Sequence, residues 1–216
     1  MILTRIGQKF EGGYFAGVIR VRDCAYLILV APKSTECSIH FKTHLECTLV
    51  THLVNNGWLN TKLLNDSEHP AAHYCSNLNV GGHTDWYLPS LNELELCYRN
   101  LKPLDRSNIT CPAGSYTGNL GLANGTNLDS IPTGAAYTET NPTQTIVTAF
   151  WTSGIEAFDT DWYWTSTASS SSTIGSLIQH FSNGYQNWFN KTDVTKVRGV
   201  RRVPILLNDE KHNDTN

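Results

Sequence analysis

The stretch that most restricts the fold is residues 81–98, GGHTDWYLPSLNELELCY, which joins a turn, a short strand and a helix start. The paired glycines permit a tight turn, and the extended segment that follows ends at Pro89. Ser90 and Glu93 have the spacing of a capping box, in which each side chain accepts a hydrogen bond from a free amide at a helix N-terminus. The sequence therefore predicts a helix that begins at about Leu91.

The predicted helix has one apolar stripe, formed by Leu91, Leu94, Tyr98 and Leu101. This helical spacing predicts that the stripe packs inward. Glu93, Glu95 and Arg99 are expected elsewhere on the surface of the helix. Trp86 and Tyr98 are expected to be core residues rather than ligand contacts.

Two later segments alternate as strands do. In residues 161–167, DWYWTST, Trp162 and Trp164 are predicted to face one side and Tyr163 the other. Residues 177–181 sort onto two faces in the same way. A hairpin turn is predicted at Asn183-Gly184, a dipeptide typical of such turns.

Residues 197–203, VRGVRRV, predict a terminal strand with poor alternation. The three arginines of this segment are Arg198, Arg201 and Arg202. Either one side of the strand is solvated, or the arginines pair with carboxylates such as Glu93, Glu95 or Asp85.

Taken together, these blocks resemble the Lcl C-terminal domain family over about residues 68–203. The matching residues are Asp85, Trp86, Leu88, Pro89, Ser90, Glu93, Leu94, Tyr163, Trp164, Ser166, Thr167, Phe181, Gly184, Val197, Arg198, Val200 and Arg201. The resemblance implies an α+β, C-type-lectin-like fold with two helices beside small twisted antiparallel sheets. Tyr87 stands where the family carries arginine, so an ion pair made by that arginine is not expected here.

A second resemblance links the chain to tailed-bacteriophage proteins that carry this domain. It rests on GGYFAG at residues 12–17, AYLILVAPK at 25–33 and YRNLKP at 98–103, with shorter matches at residues 60–61 and 70–72. The resemblance implies a virion protein that is assembled in a bacterial cytoplasm. It also implies other virion proteins as partners, and several copies on the particle or a homo-oligomer.

Composition agrees with one globular unit. The chain has 216 residues, of which 40% are hydrophobic and 16% are charged. This is enough for a single compact core. A net charge of -3 argues against nucleic-acid binding, and neither a membrane-spanning run nor a signal peptide is predicted. The six cysteines are expected to be reduced, with Cys75 and Cys97 as small core residues.

The chain is divided into three regions. Residues 1–35 predict an N-terminal β-hairpin, with strands at 10–20 and 25–31, packed on a C-type-lectin-like domain at 36–207. Helices are predicted at 43–56, ended by Gly57, and at 69–79. A long loop at 103–150 is expected to run over the surface, and residues 208–216 form a polar tail.

A metal site is not predicted, although one segment has ligand-rich spacing. Cys37, His40, His44 and Cys47 run as C-x2-H-x3-H-x2-C, and His69 and His73 form a further pair. On one helix the four residues would span about 15 Å, so at most two could bind one zinc ion. Whether they contribute to a site completed from elsewhere stays open. No cofactor is expected.

An enzyme is the weakest interpretation. Glu93 and Glu95 are two residues apart on a helix and point to different faces, and no hydrolase, metalloprotease or phosphate-loop motif is present. The calcium-dependent sugar motifs of the wider lectin fold are also absent.

A recognition surface is instead predicted at residues 184–190, GYQNWFN. The candidate ligand-binding residues are Tyr185, Gln186, Asn187, Trp188 and Asn190. Flat aromatic rings among amides are typical of recognition loops. The equally weighted alternative is that Trp188 and Phe189 are core residues of the sheet.

Three functions follow. The first is a non-enzymatic phage virion protein, a capsid decoration or a head or tail appendage that docks and displays a lectin-like domain. The second is a receptor-binding adhesin that contacts a host polysaccharide or protein. The third is an enzyme of unknown reaction.

Overall fold

The computed structural model describes residues 5–46, 51–112 and 123–205. The strands are β1 (Lys9–Phe10), β2 (Gly13–Val21), β3 (Cys24–Val30), β4 (Cys37–His40), β5 (Ser130–Ile131), β6 (Trp162–Ala168), β7 (Gly175–His180), β8 (Gln186–Asn190), β9 (Val194–Val197) and β10 (Val200–Pro204). The helices are α1 (Gly57–Leu63), α2 (Pro70–Ser76) and α3 (Leu91–Leu101), with short 3-10 turns at Lys33–Thr35 and Thr148–Phe150. The fold is therefore α+β, and these residues contain three α-helices, whereas the C-type-lectin-like fold implied by the resemblance has two.

The first sheet joins the two ends of the described chain. Its order is β1-β2-β3-β10, and β5 pairs with β2. The predicted N-terminal hairpin is present as the antiparallel pair β2 and β3. Strand β10 then pairs with β3, with Val200 opposite Val30, so the hairpin is part of the same sheet as the C-terminal strand.

The second sheet has the order β4-β9-β6-β7-β8. Only the short β6–β9 pairing is parallel among its described pairs. The turn between β7 and β8 confirms the predicted hairpin, and Gly184 adopts a φ of 71° there. The predicted alternation is also confirmed, because Trp164 packs with α1 and α2 while Tyr163 packs with α3.

The prediction of one strand at 197–203 is wrong. Val197 ends β9 in the second sheet, and Val200 begins β10 in the first. Arg198 and Gly199 form the crossing between the sheets. A Cβ on Gly199 would lie 2.8 Å from Leu78 Cδ1, so Leu78, two residues after the end of α2, leaves little room for a larger residue at this crossing.

Helix α3 begins as predicted, with both hydrogen bonds of the capping box between Ser90 and Glu93. Helix α2 lies within the predicted 69–79 and has Pro70 in its first turn. The helix predicted at 43–56 is wrong, because residues 43–46 and 51–56 are not helical, and residues 47–50 lie outside the described part. Gly57 begins α1 instead of ending a helix, and Asn56 caps this start by accepting from Leu59 N at 3.1 Å.

Two hydrophobic clusters hold these layers together. One lies around α3 and includes Tyr98, Tyr163 and Phe181. The other lies between the second sheet and helices α1 and α2, and Trp164 is one of its buried residues. Trp86 and Tyr98 are buried as predicted, at 2% and 0% exposure.

Cys75 and Cys97 are buried thiols, which confirms their prediction as small core residues. Burial raises the pKa of both thiols. The neutral thiol is therefore the stable form of each.

The loop at 103–150 lies partly inside the protein. Asn108, Asn124 and Asn127 are buried, and their side-chain amides donate to backbone carbonyls such as Thr138 O at 3.0 Å and Ile109 O at 2.8 Å. The prediction of a surface loop is therefore wrong for these residues. Residues 113–122 of this loop, and the predicted tail at 208–216, lie outside the described residues.

Candidate functional site

Glu93 is buried and accepts four hydrogen bonds, so the prediction that it lies on the surface is wrong. Its Oε2 accepts hydrogen bonds from Ser90 N at 2.7 Å, Ser90 Oγ at 2.8 Å and Gly57 N at 3.0 Å. Its Oε1 accepts from the hydroxyl of Tyr87 at 2.7 Å. Tyr87 stands at the position where the Lcl C-terminal domain family carries arginine. Burial raises the pKa of the Glu93 carboxyl, and the hydrogen bonds oppose that shift. The carboxyl therefore joins the starts of α1 and α3 inside the fold.

Glu95 is also buried, on the opposite side of α3, so the surface prediction is wrong for it too. It accepts from Arg99 Nε at 2.8 Å, Asn127 Nδ2 at 2.6 Å and Tyr137 Oη at 3.0 Å. Burial raises its pKa, while Arg99 and the two neutral donors oppose the rise. This carboxyl attaches the 123–150 region to the helix.

Arg198 is the centre of a second buried network. Its guanidinium donates to Ala31 O at 2.7 Å, and to Glu156 at both O and Oε2 at 2.9 Å. The ring of Phe158 lies 4.6 Å from the guanidinium carbon. None of the carboxylates named from the sequence, Glu93, Glu95 and Asp85, is a partner of Arg198. Its partner Glu156 lies outside the sequence motifs, so the sequence did not point to it.

Glu156 also binds β2 of the first sheet and the 3-10 turn at Lys33–Thr35. Its Oε1 accepts from Tyr14 Oη at 2.9 Å, and its Oε2 accepts from Lys33 N at 2.7 Å. Nearby, Asp159 binds Lys33 and Lys196 at 2.5 and 2.9 Å. Burial alone would raise the pKa of Asp159, but hydrogen bonds from the two lysines outweigh that effect and lower it to about 2.

The other motif residues are structural as well. Arg201 pairs with Asp85, as predicted, and also with Glu11 at 2.7 Å. Leu88 and Pro89 are buried, and Trp164 Nε1 donates to Ile39 O at 3.0 Å.

Gly184 is required for two reasons. Its φ of 71° is one that side-chain-bearing residues rarely adopt. A Cβ there would also lie 2.5 Å from the ring of Tyr98 and 2.7 Å from that of Tyr137.

Four of the predicted ligand-binding residues lie on β8, the edge strand of the second sheet, and Tyr185 directly precedes it. Because strand side chains alternate, Gln186, Trp188 and Asn190 share one face, while Tyr185 and Asn187 lie on the other. Gln186 is buried, and its Oε1 accepts from Gly125 N at 3.3 Å. The five residues therefore do not converge on one point, and their ligand-binding role stays a prediction.

One face of this edge carries a half-buried aromatic cluster that the sequence did not reveal. The ring centre of Trp162 lies 4.7 Å from His180, 5.0 Å from Phe189 and 5.9 Å from Tyr185. Trp162, His180 and Phe189 come from three neighbouring strands, and Tyr185 directly precedes the last of them. Their proximity depends on strand register, which the sequence alone did not give.

A pocket of about 270 Å³ lies between α1, α2 and residues 84–87. The last of these residues, Tyr87, pairs with Val200 at the start of β10. Its lining residues are Trp58, Thr61, Lys62, Asn65, Ser76, Thr84, Asp85, Trp86 and Tyr87. Lys62 Nζ lies 3.8 Å from the ring centre of Trp58. The pocket thus combines an aromatic wall with amide, hydroxyl and charged groups.

Large apolar side chains are exposed on the loop at 145–156. Ile146 is 93% exposed, Ile155 is 81% exposed and Trp151 is 37% exposed. The loop is held by hydrogen bonds, since Trp151 Nε1 donates to Thr145 O at 2.6 Å and Glu156 N to Ala149 O at 2.8 Å. The described fold therefore presents these side chains to solvent from a defined backbone.

The candidate metal ligands do not form a cluster within the described residues. Cys37 and His40 lie on β4, whereas His44 contacts Glu68 at 3.6 Å, and Cys47 is outside the described residues. Of the other pair, His69 binds Asp66 at 2.7 Å and His73 binds Asn65 at 3.1 Å. In the same part of the chain, no helix is long and apolar enough to cross a membrane.

Comparison with known proteins gives a family and a distant structural neighbour. No curated protein sequence matches the chain. A fimbrial protein from Bacteroides ovatus is similar in structure, with a TM-score of 0.44 and 14% sequence identity. The similarity covers 82% of this chain but only 36% of that protein. The family model of the Lcl C-terminal domain matches residues 35–201, well over half of the chain, and the protein therefore belongs to the Lcl C-terminal domain family.

Proposed function

We propose that this protein is a non-enzymatic docking and display module of a tailed-phage virion, built on a C-type-lectin-like domain. The two sheets, and the long stretches with little regular structure at 103–112 and 123–150, support the lectin-like assignment. The sequence resemblance to tailed-bacteriophage proteins at residues 12–17, 25–33 and 98–103 supports the virion setting. In this proposal the chain decorates the head, or forms a head or tail appendage, in several copies.

The burial and hydrogen bonds of the charged residues support a non-enzymatic role. Glu93, Glu95 and Arg198 have their hydrogen-bonding groups occupied by neighbouring elements. Catalytic acids and bases need access to a substrate, whereas these groups bind backbone and side chains inside the fold. Their shifted pKa values therefore have a structural cause.

The exposed loop at 145–156 carries the docking proposal. Three large apolar side chains are exposed within twelve residues of this loop, and exposed apolar surface marks an interaction site where it is contiguous. Ile146 and Ile155 would bury this surface against a neighbouring virion subunit. Many copies of a modest contact on a symmetric particle would add up to stable attachment.

A binding assay with particles that lack this chain tests the proposal. The double variant Ile146→Ser/Ile155→Ser should keep the melting temperature of the wild type and lose at least about 100-fold in particle affinity, because each buried isoleucine contributes about 1.5–3 kcal/mol. Leu128→Ser is the matched control, since Leu128 is 61% exposed elsewhere on the chain. Unchanged occupancy of the double variant would refute docking through this loop.

A receptor-binding adhesin is the second candidate, favoured by the aromatic cluster around Trp162. In that case Tyr185→Ala should reduce binding to susceptible host cells at unchanged melting temperature. Immunogold labelling of intact particles separates the two candidates. Label over the head supports decoration, and label confined to the tail supports the adhesin.

A further inference from the structure

We propose that Lys102 is a positioning residue that holds the loop at 145–156 in the conformation used for docking. This inference rests on the proposed docking function and adds to it a residue outside the exposed loop. Lys102 directly follows the last residue of α3 and is 1% exposed, so its side chain would not itself contact the particle. The observation that points to it is a buried ammonium group that binds the segment leading into the loop.

The ammonium group of Lys102 is surrounded by three neutral oxygens. Its Nζ donates to Arg106 O at 2.5 Å, to Asn108 Oδ1 at 2.9 Å and to Pro142 O at 3.0 Å. A neutral amine has only two N–H groups, so three acceptors call for the charged form, whose three donors are then all used. Burying a charge without hydrogen bonds is very costly, so the oxygens are needed where they lie. The side chain therefore ties Pro142 to the end of α3.

The backbone beside this ammonium group binds the loop directly. Lys102 O accepts from Thr145 N at 3.0 Å. Pro103 O accepts from Gln144 Nε2 at 2.9 Å and from Thr152 N at 3.0 Å. One of the exposed isoleucines of the loop directly follows Thr145, and the other lies shortly after Thr152. The two residues after α3 therefore anchor the backbone that presents both isoleucines.

The side-chain and backbone bonds depend on each other. Without the ammonium group, the carbonyls of Arg106 and Pro142 would lose a donor, and the chain would have to move to satisfy them. Because Pro142 and Thr145 are close in sequence, such a movement would also loosen the bond from Thr145 to the end of α3. A loop that must be ordered again when it docks binds more weakly than one that is already ordered.

Amide hydrogen exchange on the full chain tests whether Lys102 orders the loop. Lys102→Met keeps a long unbranched side chain and removes the three donors. The amides of Thr145 and Thr152 should then exchange at least about tenfold faster than in the wild type, because their local opening becomes easier. Unchanged exchange at these two amides would overturn the inference. If Lys102→Met does not fold, the same outcomes are measured with Lys102→Gln, which keeps an NH2 donor on a shorter side chain.

Tyr87→Phe is the control for general loss of stability. It removes a buried hydrogen bond to Glu93, an interaction that involves no residue of the loop. Amides that exchange only by global unfolding should become faster in both variants, whereas Thr145 and Thr152 should respond to Lys102→Met alone. An equal response of these two amides in Tyr87→Phe would mean that stability, and not positioning, causes the effect, and would overturn the inference.

The particle-binding assay measures the consequence for docking. Lys102→Met should lose about tenfold or more in affinity for particles that lack this chain, because the freed loop must be ordered on binding, and Tyr87→Phe should bind like the wild type. Full affinity of Lys102→Met, together with weak binding by Ile146→Ser/Ile155→Ser, would overturn the inference, since docking would then not need the ordered loop.

Failure of the docking proposal itself gives a different result. In that case the wild type, Lys102→Met and the isoleucine double variant all bind particles equally, which refutes docking through this loop. The exchange rates of Thr145 and Thr152 still decide whether Lys102 orders the loop, because that measurement needs no particle.

Discussion

Replacing Glu156 with glutamine should destabilise the protein by about 3 kcal/mol. Glutamine has the shape of glutamate, and its oxygen can still accept from Arg198 and Lys33 while its NH2 group donates to the hydroxyl of Tyr14. The change therefore removes mainly the charge. Breaking a buried ion pair costs about 3–5 kcal/mol, because a charge is left without its partner. We expect the lower end, since Glu36 still lies 4.0 Å from Arg198.

Urea unfolding followed by circular dichroism measures this loss, which corresponds to a fall of about 6–12 °C in melting temperature for a chain of this size. Glu139→Gln is the control, because Glu139 is exposed and has no ion pair among the described residues. It should change stability by less than about 0.5 kcal/mol. A loss in Glu156→Gln no larger than that of the control would refute the claim that this ion pair stabilises the fold.

Three further predictions concern the structural residues. Gly184→Ala should cost about 2–4 kcal/mol in urea unfolding, whereas Gly82→Ala, with a φ of 81° and open space around it, should cost only about 1 kcal/mol. Tyr87→Phe should cost about 2 kcal/mol, because buried Glu93 loses one of four donated hydrogen bonds; a loss within error of zero would contradict this. The pKa of Asp159 is lowered from 3.8 to about 2 in the folded protein, so ionised Asp159 stabilises the fold at pH values above 3.8. The stability difference between the wild type and Asp159→Asn should therefore be full above pH 3.8 and disappear as the pH falls through about 2. A difference that stays constant down to pH 2 in parallel urea titrations would contradict this assignment.

Local features could be predicted from the sequence because they depend on neighbouring residues. The capping box needs only the spacing of Ser90 and Glu93, and the hairpin at Asn183-Gly184 needs only a turn dipeptide between two strands. The alternation of Trp162, Tyr163 and Trp164 likewise depends on strand geometry alone. All three were confirmed.

Burial of polar residues could not be predicted in this way. Hydrophobic periodicity assigns charged side chains to the surface, and so it placed Glu93 and Glu95 there. Their burial depends on donors that come from distant segments, such as Gly57 and Asn127. The same docking of Gly57 on Glu93 explains why a glycine expected to end a helix begins one.

The candidate surfaces were missed for a related reason. Trp58 lies in α1, but the misplaced helix at 43–56 left it outside any element, so no pocket could be inferred around it. Ile146 and Ile155 fall in a region without periodicity, where sequence patterns do not distinguish exposed from buried apolar residues.

The pairing of β3 with β10 has a consequence for how the chain folds. Strand β3 is bound on one side by β2, which precedes it closely, but its other partner is among the last residues of the described chain. During synthesis the first sheet cannot be completed until β10 has left the ribosome. Pairings between distant segments are also slow to form, because a long loop must close first. We therefore expect that the first sheet is completed late, and that until β10 pairs with it the open edge of β3 can pair with other chains.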